Sequence, residues 1–350
     1  MTTQVTKFTY QTTTISVPVN SGLSDNAPSS ASISDTTLTI APSDLDESGT
    51  FNVILPATQI GSNINGTNDG DKFGSAVALD RANTALVIGA YEYGDAKGQV
   101  KVYQFQYGNW QQLGPTITGT DLSNFGYSVD ITTEYNGAGQ QREVIIAVGG
   151  HRKNSYKGSA SIYYWHNRLR MWLGISPEFT GASSNFNYGW AVSLSSTLIS
   201  SKIRVAISSN QYTADNSVDG AVQVYERPSS YGTWPQLGPI ITNIGSNEKL
   251  GHAVSLNHNG TIVACSSISG NGKVYIYTYS TLPWVSGQPT TYVWAQLGQT
   301  IEGDAGDIFG QSISLNYDST TIAIGAIGNR GTLNLNNCGT TRIYRYNKSL

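Results

Sequence analysis

The sequence predicts an all-β chain folded as a single β-propeller of about five four-stranded blades, and two observations support this prediction. First, an aromatic-Gly step recurs at intervals of 52 to 63 residues. Second, each step is followed by the same succession of short β-type runs. A repeat of that length with about four strands is typical of a propeller blade. The five steps are Phe73-Gly74, Phe125-Gly126, Tyr188-Gly189, the altered copy Leu250-Gly251, and Phe309-Gly310.

The first unit shows the order of strands that we expect in every blade. Residues 74–79 are small and apolar, as an innermost strand beside a crowded axis requires, and 80–84 form a turn. Residues 85–90 are continuously apolar, which indicates a strand buried on both faces. Residues 98–105 alternate between apolar and polar, as a half-buried outer strand does. The run 110–114, Trp-Gln-Gln-Leu-Gly, is then the edge strand.

The recurring aromatic residues are interpreted as packing residues. Trp110, Trp234 and Trp294 each stand four residues before a glycine, whereas the second unit has Arg170 there and Trp172 two residues later. Large apolar side chains at fixed blade positions supply the area that sheet-on-sheet packing needs. We therefore expect these rings, and those of the aromatic-Gly steps, in the core between blades.

The N-terminal region is expected to close the ring. The last unit ends after its third strand, and residues 51–60 have the pattern of the missing fourth strand. Such a closure would remove an open sheet edge. The domains are then a Thr/Ser-rich extension or arm, 1–48, and the propeller, 49–350. A degenerate sixth blade in 1–48 is the alternative, so the blade number stays open between five and six.

The repeated motif resembles the FG-GAP repeats of integrin-α-like β-propellers. It consists of Phe-Gly-x-Ser, an apolar run ending in Gly-Ala, a Gly-x-Val-x-Val-Tyr strand, and Trp-x-Gln-Leu-Gly. The resemblance covers residues 51–346 and implies a propeller fold. Because such propellers serve adhesion, lectin, scaffold and structural roles, it implies no single function. The turns 80–84, 257–260 and 316–319 are too short and too poor in carboxylates for the family's calcium loop, so no metal site is predicted.

Composition excludes several classes of function. Only 12% of residues are charged and the net charge is −3, so no basic surface for nucleic acid is expected. No apolar run is long enough to span a bilayer, and the N-terminus lacks the apolar stretch of a secretory signal. Cys265 and Cys338 fall in different repeats and different repeat positions, which argues against a disulfide.

No catalytic constellation is recognised, so the chain is predicted not to be an enzyme and to need no cofactor. The histidines have no metal-ligand spacing, and Cys265 has no evident histidine partner. The scattered carboxylates leave a glycoside hydrolase as a less favoured alternative.

Candidate binding residues lie in the loops that we expect on one propeller face, after the second strands. Tyrosine with Arg and Asn is a composition suited to recognition. The residues are Tyr91, Tyr93, His151, Arg152, Tyr156, Tyr212 and Arg330. On the opposite face a long insert carries Trp284, a candidate partner contact.

These observations predict a non-enzymatic structural or binding module of a larger assembly. The composition, low in Lys and rich in Thr, Ser, Asn, Gly and Tyr, is compatible with a virion surface or minor capsid component. Expected partners are other proteins of the assembly or surface glycans, with oligomerisation through the N-terminal arm. The alternative is a carbohydrate-binding, lectin-like propeller, although the polar loop residues differ between repeats.

Overall fold

A computed structural model describes residues 13–16, 32–34, 37–40, 59–120, 122–135, 141–174, 178–195, 203–212, 219–227, 233–242, 248–281, 291–328 and 339–346. The chain divides into two compact units, Met1–Gly61 and Ser62–Leu350. In the first unit, three strands form an antiparallel sheet of order β1-β3-β2. They are β1 (Thr13–Ser16), β2 (Ser32–Ser34) and β3 (Thr37–Ile40).

The second unit consists of five antiparallel sheets arranged as a five-bladed β-propeller, which confirms the predicted fold class. Blade 1 contains β4 (Ala76–Leu79), β5 (Ala85–Ala90), β6 (Gln99–Gln106), β7 (Asn109–Gln112) and β8 (Ile117–Thr118). Blade 2 contains β9 (Ser128–Tyr135), β10 (Gln141–Gly150), β11 (Ser159–His166), β12 (Met171–Gly174) and β13 (Phe179–Thr180). Blade 3 contains β14 (Tyr188–Leu194), β15 (Arg204–Ser209), β16 (Ala221–Glu226) and β17 (Ile241–Thr242).

The last two blades continue the same order. Blade 4 contains β18 (Val254–Leu256), β19 (Ile262–Ser267), β20 (Lys273–Thr281), β21 (Tyr292–Gln296) and β22 (Ile301–Glu302). Blade 5 contains β23 (Phe309–Leu315), β24 (Thr321–Ala326) and β25 (Thr340–Arg345). Two four-residue helical turns, α1 (Tyr93–Ala96) and α2 (Lys153–Tyr156), follow the second strands of blades 1 and 2.

The core lies between successive blades rather than within them. Four clusters of buried apolar side chains fill the interfaces between blades 1 and 2, 2 and 3, 3 and 4, and 4 and 5. The apolar second strands supply both sides of these clusters; β15, for example, is buried at all six residues. This explains why the second strands have continuous rather than alternating apolar sequences.

Four of the five aromatic-Gly steps are packing residues, as predicted, whereas Phe73 is half-buried and belongs to none of the four clusters. Phe125, Tyr188, Leu250 and Phe309 are buried at the interfaces. Each lies against the glycine that opens the third strand of the preceding blade. At Gly98, where φ is +77°, an added Cβ would lie 2.0 Å from the Phe125 carbonyl oxygen. The close approach of two blades therefore requires glycine at this repeated position.

Three of the edge tryptophans, Trp172, Trp234 and Trp294, are buried between blades, whereas Trp110 is half-buried and packs on Phe105 of its own blade. Trp294 of blade 4 donates its indole N–H to the Leu237 carbonyl oxygen of blade 3 at 2.8 Å. Trp172 of blade 2 donates in the same way to Leu113 of blade 1 at 2.9 Å. Although Trp172 is displaced in the sequence pattern, it is opposite Trp165 on β11, as Trp294 is opposite Tyr279 on β20. The second unit therefore keeps the indole hydrogen bond to the preceding blade, although its tryptophan stands two residues later in the sequence pattern.

The first and last blades meet at the turns between their first and second strands. The Arg81 guanidinium lies 3.8 Å from the centroid of the Tyr317 ring. The same Tyr317 ring stacks on His258 of blade 4, with ring centroids 3.8 Å apart. The predicted closing strand, 51–60, falls at 51–58 outside the described residues, so closure by it stays a prediction.

Candidate functional site

One residue from each blade stands at the same place beside the central axis, directly after the repeated glycine that precedes or begins the innermost strand. The glycines adopt positive φ, and this turn carries the chain from the loops into the innermost strands. The five residues are Ser75, Tyr127, Trp190, His252 and Gln311. Ser75 is exposed and the other four are half-buried, so they line the mouth of the central channel.

The aromatic members of this row touch each other across blade boundaries. The Tyr127 and Trp190 ring centroids are 5.0 Å apart, and those of Trp190 and His252 are 5.9 Å apart. The His252 side chain is hydrogen-bonded to Gln311. Blades 2 to 5 are thus joined at the axis by one continuous row of side chains.

Two residues that follow the second strands extend this row outward. Tyr91 packs edge-on against Tyr127, with centroids 5.4 Å apart. His151 lies 4.2 Å from Tyr127 and 5.0 Å from Trp190 between ring centroids. We use the name channel mouth for the seven residues Ser75, Tyr91, Tyr127, His151, Trp190, His252 and Gln311.

The loops that carry Tyr91 and His151 are held by hydrogen bonds to the strand-to-strand connection before blade 2. The Asn124 amide donates to the Tyr91 carbonyl oxygen at 3.1 Å, and the Arg152 N–H donates to the Ser123 carbonyl oxygen at 3.3 Å. These contacts place the loops that follow β5 and β10 beside the connection that leads into blade 2. Within α1 and α2, three consecutive residues adopt left-handed backbone, 94–96 and 154–156. Such a run is unusual and occurs where the surroundings dictate the conformation.

The electrostatics of the channel mouth favour neutral side chains. Burial, together with the nearby Arg152 charge, lowers the pKa of His151 to about 4. Burial also lowers the pKa of His252, an effect opposed by the hydrogen bond to Gln311, and it raises the pKa of Tyr127. His151 is 7% exposed, and its Nδ1 atom has no hydrogen-bond partner among the described residues. A buried ring nitrogen without a partner is costly unless a ligand or water satisfies it.

The structure brings together some of the predicted site residues and separates others. Tyr91 and His151 belong to the channel mouth. Tyr156 lies at the rim of the channel mouth, where its ring centroid is 6.5 Å from that of His151. The Arg152 guanidinium lies 5.2 Å from the centroid of the Tyr156 ring. Tyr93 is half-buried in α1, and Tyr212 packs elsewhere, against Phe186 at 5.1 Å. Trp284 and Arg330 lie outside the described residues.

Sequence reasoning missed the residues nearest the axis, Tyr127, Trp190, His252 and Gln311. A signal was present, because the residue after the repeated glycine differs in every unit while its neighbours recur. A variable position inside an otherwise constant innermost strand indicates a side chain that is free of the common packing.

Two further sets of potentially reactive side chains, the Glu134–Glu143 pair and Cys265, are held in structural roles. Glu134 and Glu143 are opposite each other on β9 and β10, and both contact Arg227, with their carboxylate oxygens 3.4 and 2.8 Å from the guanidinium. The half-buried Arg227 guanidinium pairs with both carboxylates in one ion cluster. Cys265 is fully buried in β19, and burial raises the pKa of its thiol. In the described part of the chain, no group of three or more His, Cys, Asp or Glu residues is arranged to hold a metal ion.

No family model matches the chain, and no curated protein matches it. The FG-GAP resemblance therefore stays a prediction. Among the described residues, helices are confined to short turns, and none has the length and apolar character needed to cross a membrane.

Proposed function

We propose that this chain is a non-enzymatic binding module of a larger assembly and that it contacts its partner through the channel mouth. One observation carries the proposal. Aromatic rings from three blades form a continuous, half-buried surface around His151, whose Nδ1 atom has no partner among the described residues. Rigid rings with a hydrogen-bonding atom among them are the composition of a recognition surface.

The differences between blades favour one asymmetric site over five equal ones. Packing positions repeat from blade to blade, whereas the row around the axis contains Ser, Tyr, Trp, His and Gln in turn. Repeated pockets would give avidity through identical contacts. Five different side chains around one axis instead form a single site, in which each blade makes a different contact with one ligand group.

The assembly that we propose is a particle such as a virion, with this chain as a surface or minor capsid component. The low charge and the polar, Tyr-rich composition support this context. The test begins with fractionation of the native source into particles and soluble material, followed by amine-reactive cross-linking. Lys97 and Lys157 lie in the loops beside the channel mouth, so cross-links from them to a second protein in the particle fraction are expected.

Variants connect that result to the channel mouth. Trp190→Ala should reduce recovery of the chain with the particle at least about tenfold, since aromatic anchors carry much of the energy of an interface. Tyr107→Ala is the matched control, because Tyr107 is fully exposed at the β6–β7 turn. A chain found only in the soluble fraction, or equal recovery of both variants, would contradict the proposal.

A second candidate is glycan binding, which the same surface favours. Planar rings offer apolar area to the faces of a sugar. A broad glycan array probed with the wild-type chain and with Trp190→Ala tests this candidate. Binding that the variant loses would support a lectin; no binding by the wild type would reject it.

A further inference from the structure

The Arg152 guanidinium is a cation at the rim of the channel mouth that has no acidic partner in the described part of the chain. Arg152 is half-buried, and a charge that is partly removed from water is normally paired. Three other described arginines with buried or half-buried side chains each pair with one or two carboxylates at 2.6 to 3.4 Å: Arg204, Arg227 and Arg342. The unpaired cation therefore indicates a place for an external anion.

The Tyr156 ring holds this cation without using its hydrogen-bond donors. The guanidinium carbon of Arg152 lies 5.2 Å from the centroid of the Tyr156 ring, within the range of a cation–π contact. A guanidinium is a planar fork of five N–H donors, and among the described residues none of those of Arg152 has an acceptor. A carboxylate binds such a fork through two parallel hydrogen bonds.

The connection into blade 3 helps to fix Tyr156 in place. Its backbone is left-handed, with φ 63°, which is uncommon for a bulky residue. Its N–H donates to the Arg152 carbonyl oxygen at 3.1 Å, and its own carbonyl oxygen accepts from the Asn187 N–H at 2.8 Å. Its ring centroid lies 6.5 Å from that of His151, whose pKa is lowered by burial and then by the Arg152 charge. The cation therefore acts on the channel mouth.

Only blade 2 has a cation at this repeat position, the second residue after the second strand. Blade 1 has a half-buried carboxylate there, and the other three blades have neutral residues. A negative group is thus attracted towards blade 2 and repelled from blade 1, which gives a bound anion one orientation. In blade order the five residues are Glu92, Arg152, Gln211, Ser269 and Gly328.

The channel mouth beside this cation suits a ring that carries several hydroxyl groups. Tyr91, Tyr127 and Trp190 offer aromatic area, which packs on the apolar face of a sugar. The two tyrosine hydroxyls, with Ser75 and Gln311, add groups that both donate and accept hydrogen bonds. An acidic peptide would use the cation but not this mixture of rings and polar groups. The observations therefore favour a sugar over a peptide as the carrier of the carboxylate.

We propose that the channel mouth binds a carboxylated sugar, a sialic or uronic acid, whose carboxylate pairs with Arg152 and whose ring packs on Trp190 and Tyr127. The proposal rests on the glycan-binding candidate above and names the class of glycan. The seven residues of the channel mouth supply affinity for the sugar ring, and Arg152 supplies the preference for an acidic sugar over a neutral one.

The probes are sialyllactose and a disaccharide that ends in glucuronic acid. Each is paired with its carboxyl-reduced counterpart, in which a CH₂OH group replaces the carboxylate. Calorimetry with the full-length wild-type chain should show that one acidic glycan binds at least about tenfold more tightly than its reduced counterpart, since the lost hydrogen bonds are between charged groups. A tetraglutamate peptide should bind at least about tenfold more weakly than that glycan, because it lacks the sugar ring.

Variants assign the preference to Arg152. Arg152→Gln should bind the acidic and reduced glycans about equally, whereas Arg152→Lys, which keeps the charge but not the planar fork, should keep part of the preference. Arg168→Gln is the matched control, because it removes the same charge at an exposed position between β11 and β12 and should leave both affinities unchanged. Trp190→Ala should weaken the binding of both glycans.

The outcomes separate this proposal from the proposed function. Equal binding of the acidic and reduced glycans by the wild type would overturn it and leave the glycan-binding candidate standing. No binding of any glycan would overturn both, while association with the particle decides the protein-partner proposal separately. Equal binding of tetraglutamate, or an unchanged preference in Arg152→Gln, would also overturn it. The comparison of paired glycans uses the wild type, so it decides the matter even if Arg152→Gln does not fold.

Discussion

At the scale of single residues, the most constrained backbone position is the one before each aromatic-Gly step. All five residues there have left-handed backbone, with φ between 50° and 58°. Two are asparagine, which tolerates this conformation, and two are lysine. Blade 5 has Ile308 at φ 50°, and a β-branched side chain makes left-handed backbone costly. The five are Lys72, Asn124, Asn187, Lys249 and Ile308.

Ile308→Asn is therefore expected to stabilise the chain by about 1 kcal/mol, since it relieves strain of that order. Thermal unfolding should show a midpoint roughly 2 °C higher than that of the wild type. Ile308→Val keeps the β-branch and serves as the control, with no increase expected. A lower midpoint for Ile308→Asn would mean that packing of the isoleucine side chain outweighs the strain.

At the scale of elements, the innermost strands are joined by a repeated side-chain contact. The Leu194 N–H of blade 3 donates to the Asp130 carboxylate of blade 2 at 2.6 Å. The same position in the next two blades is serine. Ser193 accepts from Leu256 N–H at 3.0 Å, and Ser255 accepts from Leu315 N–H at 3.1 Å. Asp130 is thus the one titratable member of this series of three.

The Asp130 contact predicts a dependence of stability on pH. Burial raises the pKa of Asp130 to about 6, and the bonds from Leu194, Ile131 and Ser193 only partly offset this. Since the folded pKa lies above the ordinary value of 3.8, the contribution is fully present below about pH 4 and is lost as pH rises through 6. The free energy of unfolding should therefore fall by roughly 2 kcal/mol over this window on account of this group.

Asp130→Ser tests this expectation because serine keeps an acceptor and removes the charge. Urea unfolding at pH 4, 5, 6 and 7 should show the variant gaining on the wild type as pH rises. Ser255→Ala is the control: it removes the acceptor of the Leu315 N–H and should lower stability by about 1 kcal/mol with no dependence on pH in this range. A constant difference between Asp130→Ser and the wild type across the series would contradict the assignment.

At the scale of the whole molecule, the described contact between the first and last blades is small and polar. Four interfaces have apolar clusters, whereas blade 1 exposes Val77 and Leu79, at 62% and 53%, and blade 5 exposes Ile343 at 71%. The Arg81–Tyr317 contact joins these two blades. Closure of the ring therefore rests, in the described part of the chain, on turns rather than on sheet packing.

Arg81→Ala and Tyr317→Leu should each lower the free energy of unfolding by about 0.5–1 kcal/mol, the range for an exposed cation–π contact. The double variant should lose less than the sum of the two, because they remove one shared contact. Hydrogen exchange is expected to become faster in β4 and β23, the innermost strands that flank the contact. Additive losses with unchanged exchange would show that the two residues do not couple the blades.

The sequence by itself determined the fold class, the order of strands and the buried positions of each blade. These follow from patterns within one repeat, where apolar period, turn residues and glycine act over short distances. Tertiary structure alone decided which residues meet. The ring brings residues about 60 positions apart side by side, so the row Tyr127, Trp190 and His252 forms only when three blades converge on one axis.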